Sequence, residues 1–156
     1  MKKGATALTE KWDASVGSFG SNNHFMLGQI NEWFYHDLAG IGPDEAVPGF
    51  KNVIIRPNVI GDLTWVKGQY ETVRGPVVTH WTRENDMVVL ECTIPANCTA
   101  TVYVPTADAA EVTEGGIPAA RAAHVKHLRD ENGAAVYAIS SGTYRFAAPH
   151  TRRSTR

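Results

Sequence analysis

The chain has 156 residues, 43% hydrophobic and 20% charged, with a formal net charge of −1; it is long enough to bury one core and too apolar to stay disordered. That balance removes the electrostatic case for nucleic acid or an anionic membrane as a partner. No apolar run approaches the roughly 20 residues that cross a bilayer, and Met1-Lys2-Lys3 is not followed by the apolar core of a signal peptide; the expectation is a soluble chain of unassigned compartment.

The first informative stretch is "GATALTEKWDA", Gly4 to Ala14, in which one acid, Glu10, stands among small and hydroxyl residues two positions before Trp12. An isolated Glu is ordinarily a solvated charge. Its surroundings nevertheless suit a base: Thr6 and Thr9 can orient it or a water, and the Trp12 indole offers an apolar platform to a sugar face. From Asn22 to Ala39, Met26, Ile30, Trp33, Phe34 and Leu38 recur at the spacing of one helical face. Asn22 or Asn23 can cap the first turn, Gly40 can end the helix, and Pro43 blocks its continuation. Trp33 belongs to that stripe and reads as core. His24 lies in the first turn, where a structural hydrogen-bonding role competes with a ligand contact.

After Pro48-Gly49 the period changes from helical to alternating. Strands are predicted at 51–58, 63–75, 76–84, 87–95, 99–105, 124–130, 134–141 and 143–149, separated by turn residues such as Glu84-Asn85-Asp86 and Glu131-Asn132-Gly133. Eight short strands at this spacing, preceded by one amphipathic helix, predict a mainly β chain built as an antiparallel β-sandwich. The segment 107–123 reads as a loop with one short strand around Val112, because Gly115-Gly116 and Pro118 break any helix. Trp65 and Trp81 fall on neighbouring strands and read as packing in or beside the core. Asp62, in a Gly-Asp pair between strands, reads first as a turn residue. His124 and His127, three apart on a strand, point to opposite faces, so no metal site is predicted, and no cofactor is implied. Cys92 and Cys98 are too few for a disulfide framework and are expected to be reduced. The tail 150–156 has no apolar anchor and is expected to fray.

Taken in order, "GATALTEKWDA", "NHFMLGQINEWFYHDLAGI", "PGFKNVIIRPNVIGDLTWVKGQYETVRGPVVTHW" and "SGTYRF" resemble the C-terminal portion of bacterial α-L-rhamnosidases of glycoside hydrolase family 78. The resemblance implies residues 1–48 as the last active-site loop and final helix of an (α/α)6-barrel catalytic domain, 49–150 as a C-terminal β-sandwich, and 151–156 as a disordered tail. It implies that Glu10 is the general base of an inverting displacement, with Trp12 and His24 in the blocks that line or support the rhamnose pocket. The general acid would lie upstream of these blocks, so the chain by itself is expected to be inactive. Ala7 and Thr9 depart from the Thr and Trp that many members carry, which bears on substrate preference and not on Glu10.

The implied partners are rhamnose-containing glycans, through the parent enzyme. Two other readings stand beside this one: a non-catalytic carbohydrate-binding sandwich using exposed aromatics such as Trp65 or Tyr70, and a module completing a separately encoded barrel. If the sandwich leaves the helical stripe bare, the simplest cover is a second copy, giving a homodimer through Asn22–Ala39.

Overall fold

The computed structural model describes residues 9–11, 20–21 and 23–150. The chain divides into two compact units, Met1–Phe34 and Tyr35–Arg156. The expected fraying of the tail falls on residues 151–156, outside the described residues.

The predicted helix forms, but with three windings. A 3₁₀ turn, Phe25–Gln29, passes into α-helical Ile30–Trp33 and then into a π-wound turn, Phe34–Leu38. Its N-cap residue is His24, without a side-chain cap bond. Asn23 therefore does not cap it; its N–H instead donates to Ser21 Oγ at 3.3 Å. Asn22 lies outside the described residues. The changes of winding also break the regular stripe, because 3₁₀ and π turns hold fewer and more residues than 3.6. Leu38 is buried, whereas Met26, Ile30, Trp33 and Phe34 are 54, 51, 39 and 48% exposed. Trp33 is thus a surface residue against the ring of Phe34, centroids 5.6 Å apart, and not the core residue its spacing predicts.

The mainly β fold class holds. Among the described residues nine strands follow the helix: β1 (Ile41–Pro43), β2 (Asn52–Ile55), β3 (Trp65–Thr72), β4 (Gly75–Glu84), β5 (Met87–Pro105), β6 (Thr113–Glu114), β7 (Ile117–Pro118), β8 (Val125–Glu131) and β9 (Ala134–Pro149). They form one sheet with β5 and β9 paired along their lengths at its centre; β4, itself paired with β3, and β2 with β1 join β5, while β6 with β7, and β8, join β9. The pairings are antiparallel except that of β2 with β5, which is parallel. The side chain of Asn52 fixes that register: its Nδ2 donates to Thr101 Oγ1 at 3.2 Å and its Oδ1 accepts from Thr99 Oγ1 at 2.8 Å.

Two pairs of predicted strands are each one long strand, β5 and β9. Along β5 the even positions Val88, Leu90, Cys92, Ile94, Cys98, Ala100, Val102 and Val104 are buried, and Ala96, at the bend, is exposed. One face therefore points inward on both sides of a register shift between Ile94 and Thr99, where Asn97 adopts φ 61° and Lys51 Nζ donates to its carbonyl. A strand that keeps one face inward through a bend closes its sheet over a shared core, the way a sandwich corner is made. Trp81, Tyr137, Phe146, Ile55 and Val53 belong to that core. The 107–123 segment holds β6 and β7 between two 3₁₀ turns, with Val112 buried just ahead of β6. The sheet also begins ahead of the first predicted strand, at Ile41.

The end of the helix is tied to the sandwich by donors from the strands. A helix C-terminus leaves its last carbonyls without intrahelical partners. Here Leu38 O accepts from Trp81 Nε1 at 2.8 Å, Ala39 O from Thr79 Oγ1 at 2.7 Å, Gly40 O from Arg56 N–H at 2.8 Å, and Asp37 O from Asn58 N–H at 2.9 Å. Gly40, at φ 72°, passes so close that a Cβ there would lie 2.2 Å from Pro57 N; only glycine fits both the turn and the approach.

Candidate functional site

Glu10 and Ser21 close a reciprocal pair within the first unit. The Glu10 N–H donates to Ser21 O at 2.9 Å, and the Ser21 N–H donates to Glu10 Oε2 at 3.0 Å. The carboxylate is exposed, and its pKa lies below the ordinary carboxylate value, first through the Ser21 backbone bond and then through the positive fields of His24 and Lys11. A backbone N–H bond and nearby positive charge both favour the ionised form, so this side chain is a carboxylate throughout the neutral range. Thr9 does not bond to it; its hydroxyl donates to Lys11 O at 2.9 Å. Gly20 lies beside the pair, and a Cβ there would stand 3.4 Å from Glu10 Oε2.

Of the three residues singled out by sequence, the structure brings Glu10 and His24 into electrostatic reach of one another. Trp12 lies outside the described residues, as does Thr6. Ser21 was not anticipated as the residue that fixes Glu10. The only sequence signal for it is the Gly20-Ser21 pair, which marks a turn but not what that turn holds.

The residues set aside by sequence fall out differently. Trp81 is fully buried, as predicted, but Trp65 is 61% exposed, with His80 edge-on at 6.4 Å. The reason lies in the register: Trp65 pairs with Thr82 on the face of β3–β4 opposite to the buried Val77, Thr79 and Trp81. Tyr70, 43% exposed, packs against Tyr35 and Phe50. His127 Nε2 lies 3.0 Å from Asp130 Oδ1, and His124 precedes β8 at φ 62°. Cys92 and Cys98 are buried and free, and burial pushes the Cys92 thiol up to about 12. No helix of the described residues is long and apolar enough to cross a membrane.

Comparison with known proteins gives two family matches that meet between strand and helix. Residues 1–38 match the bacterial alpha-L-rhamnosidase 6 hairpin glycosidase domain, and residues 40–117 match the bacterial alpha-L-rhamnosidase C-terminal domain. The α-L-rhamnosidase of Streptomyces avermitilis is 33% identical over 94% of this chain and 14% of its own length. Its crystal structure, complexed with L-rhamnose, superposes with a TM-score of 0.76. An α-L-rhamnosidase of Formosa agariphila is 28% identical over 97% of the chain and 17% of its own length. The structure of α-L-rhamnosidase from Dictyoglumus thermophilum is 29% identical over 95% of this chain and 16% of its own, with a TM-score of 0.78. The chain thus spans about a sixth of the length of these relatives or less.

Proposed function

Since the chain belongs to the bacterial α-L-rhamnosidases as their C-terminal part, we propose that it supplies the general base of an inverting α-L-rhamnosidase together with the closing sandwich. The observation that carries this reading is the Glu10–Ser21 pair. The bond to Ser21 engages Oε2, which leaves Oε1 to take a proton from water as the water oxygen attacks the anomeric carbon of a terminal rhamnoside. An acid on the opposite side of the ring protonates the departing glycosidic oxygen, with the two carboxyl groups about 6.5 to 9.5 Å apart to admit the water. With its pKa below the ordinary value, first through the Ser21 backbone bond, the carboxylate is ionised at neutral pH, the form that this step requires. Trp12 would face the sugar and His24 would contact or support it. Residues 1–48 then complete the catalytic barrel, and 49–150 form the sandwich domain.

The exposed helical face supports a second part of the proposal. Burying an aliphatic or aromatic side chain is worth about 1.5 to 3 kcal/mol, so Met26, Ile30, Trp33 and Phe34 favour a partner surface. In the parent enzyme that surface would be the neighbouring barrel helices; for the chain alone it would be the same helix of a second copy. The reading as a carbohydrate-binding sandwich draws support from the exposure of Trp65, and a separately encoded barrel would use Glu10 in the same way in trans.

Assay with an aryl α-L-rhamnoside tests the proposal. The 156-residue chain alone is expected to give no turnover. Fused behind the upstream part of the Streptomyces avermitilis enzyme, in place of the segment it matches, it is expected to restore turnover. A fusion that binds L-rhamnose but does not hydrolyse the substrate would contradict the proposal.

A further inference from the structure

A second feature, wholly within the sandwich unit, has the chemistry of a ligand site. At one end of the sandwich a cavity of about 890 Å³ opens between the connection from β2 to β3, the ends of β4 and β5, the β8–β9 turn and His150. Its volume falls in the range of about 300 to 1,000 Å³ usual for small-molecule sites. Its charged wall consists of Arg56, Arg83, His150, Asp62 and Glu131.

Two guanidinium groups on this wall are held in place by contacts other than ion pairs with the described residues. The Arg56 guanidinium lies 4.8 Å over the Tyr103 ring, and Arg129 in turn fixes that ring by donating to Tyr103 Oη at 3.0 Å. Arg83 donates to Gly61 O at 3.0 Å. Among the described residues neither Arg56 nor Arg83 takes part in an ion pair, whereas Glu131 is taken by Arg129 at 2.7 Å. Asp62 is the remaining acid on the wall, and it is exposed. A consequence of this excess appears at His150, whose pKa lies below its ordinary value through burial and then through the field of Arg83. An anion in the cavity would relieve that field.

We propose that this cavity binds an acidic saccharide, a uronic acid unit, with its carboxylate held by Arg56 and Arg83. The planar guanidinium fork matches a carboxylate in two parallel bonds. Asp62, beside the arginines, and Asn132, in the β8–β9 turn, are acceptor and donor for ring hydroxyls. A neutral sugar would leave two fixed cations unanswered; a bare oxyanion would leave Asp62 unused. The identification of the ligand as a sugar rests on the rhamnosidase reading above, while the site itself belongs to the sandwich and involves neither Glu10 nor His24.

Titration of the intact chain with glucuronate, glucose and inorganic sulfate, followed by NMR, tests this. Glucuronate is expected to bind saturably, to shift the Tyr103 and His150 signals and to raise the pKa of His150. Glucose, and glucuronate with Arg56→Ala or Arg83→Ala, are expected to bind about tenfold to a hundredfold more weakly, the loss of a charge-assisted hydrogen bond. Arg56→Lys and Arg83→Lys keep the charge without the fork and should fall between, which guards against misreading a folding defect; Arg145→Ala, outside the cavity, should bind as the parent does. Equal affinity for glucose and glucuronate, sulfate binding as tightly as glucuronate, or no saturable binding of glucuronate would each overturn the proposal. Because no turnover is measured, failure here is distinct from failure of the fusion assay.

Discussion

Trp81 shows how much of this molecule turns on single donors. Its indole is fully buried, yet the Nε1–H is spent on Leu38 O, the carbonyl of the last helical residue. Trp81→Phe keeps most of the apolar volume and strands that carbonyl, so it should lower stability by about 1 to 3 kcal/mol, the cost of a buried acceptor left unsatisfied. Urea denaturation of the variant beside the parent measures this; an unchanged midpoint would show that the bond contributes nothing. His150 supplies a pH-dependent counterpart. Its folded pKa lies below the ordinary value near 6.5, so between the two the unfolded chain binds more protons, and stability falls as pH falls through that window. His150→Gln should therefore lose less stability than the parent between about pH 7 and pH 5, as read by thermal unfolding at the two pH values. Neither role is written in the residue's neighbours in sequence: Trp81 is 43 positions from its acceptor.

At the scale of elements, patterns that depend on a local period were legible and those that depend on pairing partners were not. Alternation predicted β3, β4 and both halves of β5 and β9, and Glu131-Asn132-Gly133 predicted a turn, which joins β8 to β9 with φ of 51° at Asn132 and 79° at Gly133. Pro95 and Gly142 read as breaks between strands; in the structure they sit at a bend through which each strand continues, because the shared core rewards keeping one face inward. The parallel pairing of β2 with β5 left no trace in sequence, since a period of two is the same in either direction. The helix illustrates a different limit. Its apolar stripe predicted where the helix lies but not what would cover it, and Met26, Ile30, Trp33 and Phe34 are surface residues. Self-association through this face is the expectation for the chain alone. Sedimentation should show a concentration-dependent dimer for the parent and a monomer for Ile30→Glu, an exposed position that tolerates charge. A parent that stays monomeric at every concentration would end the idea.

For the molecule as a whole, the residues of the proposed site divide by what sequence is able to carry. The blocks around Glu10 single it out as a candidate base, whereas Ser21, which holds it, left no such signal, because a backbone N–H carries no residue-type signature. The same division explains the sandwich cavity: Arg56, just after β2, and Arg83, near the end of β4, line one cavity only when the sheet closes. Whether this chain furnishes the base of a rhamnosidase is decided by Glu10→Gln in the fusion with the upstream part of the Streptomyces avermitilis enzyme. The measurement is kcat on an aryl α-L-rhamnoside, with L-rhamnose binding followed in parallel. The expected loss in kcat is about a hundredfold to ten-thousandfold, the usual contribution of a general base, with L-rhamnose binding little changed. A Glu10→Gln fusion that keeps the parent's kcat would contradict it.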